Sequence, residues 1–224
     1  MNDPNRPTDL GGFGTARIAG RDTSLLDRVL GWLALSLLLT AAGVYTSLAT
    51  GLFLPWFVAL ILLIGLIFVI NWAVRSNNQP LAVMLFFVFA IAEGLFLGPV
   101  ISFYLRVAPD AIGNAVLGTA GIFVLCAGVV YISNRSFARW GRYLLIALVI
   151  GIVLIIASFF IPINQLFLDA FLGLVFVGLT LFDFWRVKAE RPGDNNSLLI
   201  ALSLYLDFIN LFLILLRIFG GNRR

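Results

Sequence analysis

Seven apolar runs, each long enough to cross the roughly 30 Å hydrocarbon core of a bilayer, set the limits on what this chain can fold into. They cover residues 25–49, 52–74, 80–105, 111–133, 140–160, 166–187 and 197–219. In lipid, backbone polar groups must be satisfied within the spanning structure, so runs of this length predict helices. The links between them are short, which predicts one compact bundle rather than several domains. No internal repeat stands out, and this counts against a transporter built from inverted repeats. Residues are 61% hydrophobic and 12% charged, with mean hydropathy +1.05; a soluble domain carries about 25% charged residues. The fold class expected is all-α, a polytopic membrane protein with almost no mass outside the lipid. Its parts would be a disordered tail over residues 1–24, a membrane domain over 25–219 and a short tail over 220–224.

The tail is rich in Gly, Pro, Asp, Asn and Arg and has no apolar run, a composition that cannot pay for ordering. It lacks the short apolar region and small-residue cleavage site of a secretory signal, so the first span would itself direct insertion. With this tail in the cytoplasm, eleven basic residues fall inside: Arg6, Arg17, Arg21, Arg28, Arg75, Arg135, Arg139, Arg142, Arg186, Lys188 and Arg191. The outer loops hold Arg106. That asymmetry predicts a cytoplasmic N-terminus, and it reads the net charge of +4 as a topology signal rather than as affinity for nucleic acid. Arg217, Arg223 and Arg224 break the pattern, so the seventh segment either crosses despite them or re-enters. The sole cysteine, Cys126, lies inside a span and reads as an inert buried thiol. The chain has no histidine, so a response to pH near neutrality would have to come from carboxylates.

The last run holds the most informative pattern. Ser203, Asp207, Asn210, Ile214 and Arg217 follow one another at steps of four, three, four and three, which places them in one stripe along a helix. A carboxylate in hydrocarbon costs about 3 kcal/mol on insertion scales, so Asp207 must face protein or water and needs a partner. The nearest comparable acid is Asp183 in the sixth run. If the two carboxyls meet, they would share one proton and titrate as a unit, because like charges in low dielectric do not both ionise readily. Arg75, at the inner end of the second run, is a candidate third member that could latch onto the ionised pair. Glu93 sits midway through the third run and, with Asn210 and Ser203, is a candidate for a pore or ion path. Asp169, near the outer end of the sixth run, reads as a solvated flank. Gly94, Gly98, Gly118 and Gly121 read as sites of close helix approach.

The run ALSLYLDFINLFLILLRIF resembles the C-terminal signature of the Bax-inhibitor family of membrane proteins, and EGLFLGP at 93–99 and the acid at Asp183 are similar to that family's third and sixth spans. The resemblance covers nearly all of the chain after the tail. It implies six helices around a central seventh, and a pH-sensitive calcium leak. It also implies a proton-sensing pair at Asp183 and Asp207, with an arginine latch at Arg75 when the spans are aligned on Trp72. Bacterial relatives sit in the inner membrane; eukaryotic ones sit in the endoplasmic reticulum or Golgi and are linked to suppressing cell death. The chain departs from the pattern in reading LFDFW around Asp183 instead of Tyr-Asp-Thr-Gln. It also has Ile64 where an acid would stand in the second span, and it ends soon after the seventh.

Three functions follow as expectations. In the first, Asp183 and Asp207 sense protons and admit calcium, a hard cation that takes oxygen ligands; protonation would release the Arg75 latch and free the seventh span. No resident cofactor and no catalysis are expected, and the partners would be membrane lipid, calcium ions and protons. In the second, the chain is a non-conducting partner of other membrane proteins. The third is a diaspartyl intramembrane protease, disfavoured because Leu-Tyr-Leu-Asp stands at 204–207 where such enzymes carry Gly-x-Gly-Asp.

Overall fold

The computed structural model describes residues 22–52, 55–133, 135–190 and 196–221. Among these, the structure consists of helices: α1 (Asp22–Thr50), α2 (Trp56–Arg75), α3 (Gln79–Val107), α4 (Pro109–Ile132), α5 (Trp140–Ala157), α6 (Gln165–Ala189) and α7 (Ser197–Gly221). Each apolar run became one helix, and each of these is long and apolar enough to span a bilayer. The expected tails fall mostly on residues 1–21 and 222–224, which lie outside the described residues; residues 22–24 belong to α1 and residues 220–221 to α7.

Local chemistry sets the helix ends. Gly51 adopts φ +69° and its N–H bonds to the Ser47 carbonyl at 2.9 Å, a left-handed stop that costs glycine nothing. Asn78 caps α3 by accepting from Leu81 N at 3.3 Å, with Pro80 just inside. Asn164 caps α6 by accepting from Leu166 N and Phe167 N at 2.9 and 3.3 Å. α3 runs on through Pro99. α7 is unbroken over 25 residues, about 37 Å at 1.5 Å per residue, long enough to cross a bilayer without re-entering.

Neighbour pairs give the helix directions. Thr40, Gly43 and Ser47 of α1 meet Ala90, Gly94 and Gly98 of α3 in rising order, so these two helices are parallel. Tyr205 and Gly220 of α7 meet Phe89 and Tyr104 of α3, again in rising order. α6 runs against α7, with Asp169 beside Arg217 and Gly173 beside Ile214. α5 runs against α6, with Gly141 on Phe182 and Gly151 on Leu172. The starts of α1, α3, α5 and α7 therefore share one end of the bundle, the end that also carries Arg75, Arg135, Arg139, Arg142, Arg186 and Lys188.

α7 is central, as the resemblance implies: it packs against α1, α3, α4 and α6. Of its most apolar stretch 61% is buried, against 6% for α5. α2 packs chiefly on α3 and α5 chiefly on α6, so both stand outside the inner ring. Their outward aliphatic side chains, such as Ile61 and Val153, are the surface lipid would cover.

The tightest seam joins α1 to α3. A methyl group at Gly94 would strike the Thr40 carbonyl oxygen and lie 2.9 Å from the Gly43 Cα. Both obstacles are backbone, so neither can swing aside. Gly94→Ala is expected to cost about 1–3 kcal/mol through overpacking, read as a lower thermal midpoint in detergent. Gly121→Ala, which meets nothing within 4 Å, should leave that midpoint in place. Of the four glycines predicted to pack, Gly94 and Gly98 sit against α1 and Gly118 against Leu215, whereas Gly121 faces open space.

Candidate functional site: an acid-lined cavity between α5, α6 and α7

The whole polar stripe of α7 faces one cavity. Ser203, Asp207, Asn210, Ile214 and Arg217 all line a space of about 570 Å³ whose other walls come from α6 and α5. The stripe spans fourteen residue steps, about 21 Å at 1.5 Å per step, so the cavity follows most of the depth of a bilayer core. α6 contributes Asp183 and Arg186, and α5 contributes aliphatic side chains such as Leu148 and Ile152. A narrow polar strip thus runs along an otherwise apolar chamber.

Asp183 and Asp207 are both buried and both open onto this cavity. They differ in what neutralises them. Arg186 Nη1 donates to Asp183 Oδ1 at 3.0 Å from the same face of α6, and the Ser203 hydroxyl of α7 lies beside the same carboxyl. The polar support that LFDFW does not supply therefore comes from one turn further along and from the facing helix. The Thr180 hydroxyl lies beside Asp207, while Asp207 Oδ2 is buried with no hydrogen-bond partner among the described residues. An orphaned carboxylate oxygen in a buried site is costly as an anion and far cheaper when it carries a proton or meets a cation.

A second pair closes the far end. Arg217 Nε donates to Asp169 Oδ1 at 2.8 Å, and Nη2 approaches the same oxygen at 2.7 Å. The reading of Asp169 as a solvated flank is overturned: its side chain is 5% exposed and it is the anchor of Arg217. Arg217, which seemed only to disturb the charge asymmetry, spends its charge on this bond.

The other predicted site residues lie elsewhere. Arg75 is exposed at the end of α2 and does not line the cavity; the guanidinium beside the pair is that of Arg186. Glu93 is buried on α3, on the side of α7 that carries Tyr205 rather than the cavity. There Tyr205 Oη and Thr40 Oγ1 share a 2.6 Å hydrogen bond, and Thr40 Oγ1 also bonds the Ala90 carbonyl at 3.1 Å. This second polar patch ties α1, α3 and α7 together. Sequence reasoning missed Asp169 as a partner and Arg186 as the counter-charge. The Asp183/Arg186 spacing of three was a readable signal, whereas the Asp169–Arg217 pairing needs the α6/α7 register.

The donor set facing the cavity consists of oxygens, the ligand type of hard cations. Two carboxylates, the Ser203 hydroxyl and Asn210 Oδ1 are available, since Asn210 Nδ2 is engaged with the Leu206 carbonyl at 2.8 Å. Among the described residues no group of three or more acidic, cysteine or histidine side chains gathers around one point. Calcium takes six to eight oxygens, so an ion here would keep part of its water shell and be held loosely.

A bundle of apolar helices built around a buried carboxyl chamber defines a polytopic membrane protein with an intramembrane acid site. Residues 22–224 match the family described as "Inhibitor of apoptosis-promoting Bax1". The chain belongs to this Bax inhibitor family. It is 33% identical over 198 residues to Bax inhibitor 1 of Schizosaccharomyces pombe, covering 82% of this chain and 73% of that one. It is 33% identical over 216 residues to inner membrane protein YbhL of Escherichia coli K12, covering 88% and 91%. It is 28% identical over 193 residues to the modulator of FtsH protease YccA from the same organism, covering 85% and 87%.

Proposed function

We propose that this chain is a pH-sensitive calcium leak of a bacterial inner membrane, with its N-terminus in the cytoplasm and the α5–α6–α7 cavity as the ion path. The observation that carries the reading is that Asp183 and Asp207 open onto one cavity lined by the entire polar stripe of α7. Charge arithmetic supplies the switch. Asp183 and Arg186 cancel each other, as do Asp169 and Arg217. Asp207 is left, and one proton on the aspartate pair makes the chamber neutral. Loss of that proton leaves one net negative charge in a low-dielectric space, which recruits a divalent cation. The reading assigns no catalysis and no resident cofactor to the chain. The inner-membrane placement is supported by the relative YbhL, and the orientation by the basic end of the bundle.

The sign of the pH response separates this mechanism from an arginine latch. Charge balance predicts that calcium flux rises as pH rises, because the proton must leave before the ion enters. A latch between Arg75 and the ionised pair predicts the reverse, since protonation would free α7. Purified protein in liposomes loaded with a calcium dye tests both. Asp207→Asn is expected to lower flux about tenfold, the weight of one ion contact of ~1.4 kcal/mol, and to flatten its pH dependence. Unchanged flux and pH dependence in Asp207→Asn would refute the reading.

A second reading is favoured by the likeness to YccA, whose name marks it as a modulator of a membrane protease. The chain would then act by contact with such a protease and conduct nothing. Wild-type liposomes without flux, together with stable co-purification of a membrane protease, would support that reading over the first.

A further inference from the structure

A second cavity lies at the start of α5, on the basic end of the bundle, and the ion path makes no use of it. It measures about 570 Å³ and is lined by Ser136, Arg139, Trp140, Tyr143, Leu144 and Ala147. Arg139 is exposed and, among the described residues, takes part in no ion pair; no acidic residue occurs between Asp110 and Asp169. Arg135 and Arg142 flank it, so the sequence around the groove is positive. Among the described residues no side chain caps α5; its Trp140 N–H bonds the Phe137 carbonyl at 2.9 Å, and the positive end of the helix dipole favours an anion here.

The groove stands on a pinned loop. Lys188 of α6 donates to the carbonyls of Val130 and Ser133 at 3.0 and 2.9 Å, which fixes the end of α4. The buried Phe137 ring meets Trp140 edge to face at 5.4 Å and holds that indole at the rim. From there the lining changes character along α5, from guanidinium and hydroxyl through two amphipathic aromatics to Leu144 and Ala147. Trp and Tyr rings prefer the headgroup level of a bilayer, and the outer face of α5 is almost wholly unburied.

We propose that this groove binds an anionic phospholipid, its phosphate held by Arg139 and Ser136 and the head of one acyl chain laid along Leu144 and Ala147. A polar-to-apolar lining fits an amphiphile; free phosphate would use the guanidinium and leave the apolar wall idle. The lipid thereby fixes the loop between α4 and α5 at the membrane surface.

The test is native mass spectrometry of the full chain in micelles doped with phosphatidylglycerol or with phosphatidylcholine of the same acyl chains. Wild-type protein is expected to retain phosphatidylglycerol and to shed phosphatidylcholine. Arg139→Gln should lower the retained fraction about tenfold, the loss of one charge-assisted contact. Arg135→Gln, an equal loss of charge from the same loop outside the groove, should change it less than about twofold. Phosphatidylglycerol should also raise the thermal midpoint of wild type and Arg135→Gln but not of Arg139→Gln. The proposal falls if Arg139→Gln retains lipid like wild type, if Arg135→Gln weakens retention as much, or if both lipids are held equally. Displacement of the lipid by millimolar inorganic phosphate would also overturn it and mark a site for free phosphate.

Discussion

Arg217→Gln is expected to cost about 3 kcal/mol of stability, through the charge it strands rather than through the bond it breaks. Asp169 is 5% exposed and has Arg217 as its cationic neighbour; Gln165 Nε2 offers a long contact of 3.4 Å. Without the guanidinium the carboxylate must stay buried as an anion or take up a proton. The reciprocal change should be milder. Arg217 is 39% exposed, so in Asp169→Asn the guanidinium can swing towards water or headgroups. The double variant Asp169→Asn/Arg217→Gln should recover most of the loss, since it leaves no charge stranded. Thermal unfolding of the four proteins in one detergent checks the ranking. Equal damage from both single changes would mean that the pair acts through packing.

On the proposed reading, Arg186→Gln is expected to displace the pH dependence of calcium flux. It removes the one positive charge beside two carboxyls that share a cavity. The chamber then reaches neutrality with two protons instead of one. Calcium entry waits for the first of two departures against an unbalanced site, and the curve of flux against pH moves to higher pH. Flux near neutrality should fall about tenfold, the result of displacing the curve by about one pH unit. Asp183→Asn/Arg186→Gln restores the one-proton balance around Asp207 and should return the curve towards wild type. If Arg186→Gln leaves the curve in place while Arg75→Gln shifts it, the counter-charge comes from α2 and the arithmetic proposed above is wrong.

The sequence carried the helices and the face of α7 because both rest on local rules. Apolar length sets the spans, and a helical period of 3.6 places Ser203, Asp207, Asn210, Ile214 and Arg217 on one side; all five line the cavity. Partner assignment was less legible, because it depends on register between helices far apart in the chain. Asp169 lies near the end of its run, and from sequence alone an end position reads as wet. Only the antiparallel pairing of α6 with α7 shows that Arg217 covers it. Arg186 was read by its position near a span end, as a topology signal, although it stands three residues from Asp183 on the same helix. Arg75 was placed at the pair by alignment on Trp72, and in this bundle α2 packs on α3. Glu93 has the burial expected of it, but it faces a different side of the central helix.

The peripheral station of α5 has a mechanical consequence. On that side a single, weakly anchored helix separates the chamber from the surrounding acyl chains. Thinning or stretching of a bilayer would therefore press on this partition before it reached the close-packed α1–α3 seam. On the proposed reading, tension in the lipid and acidity in the water would act on the same compartment from two directions.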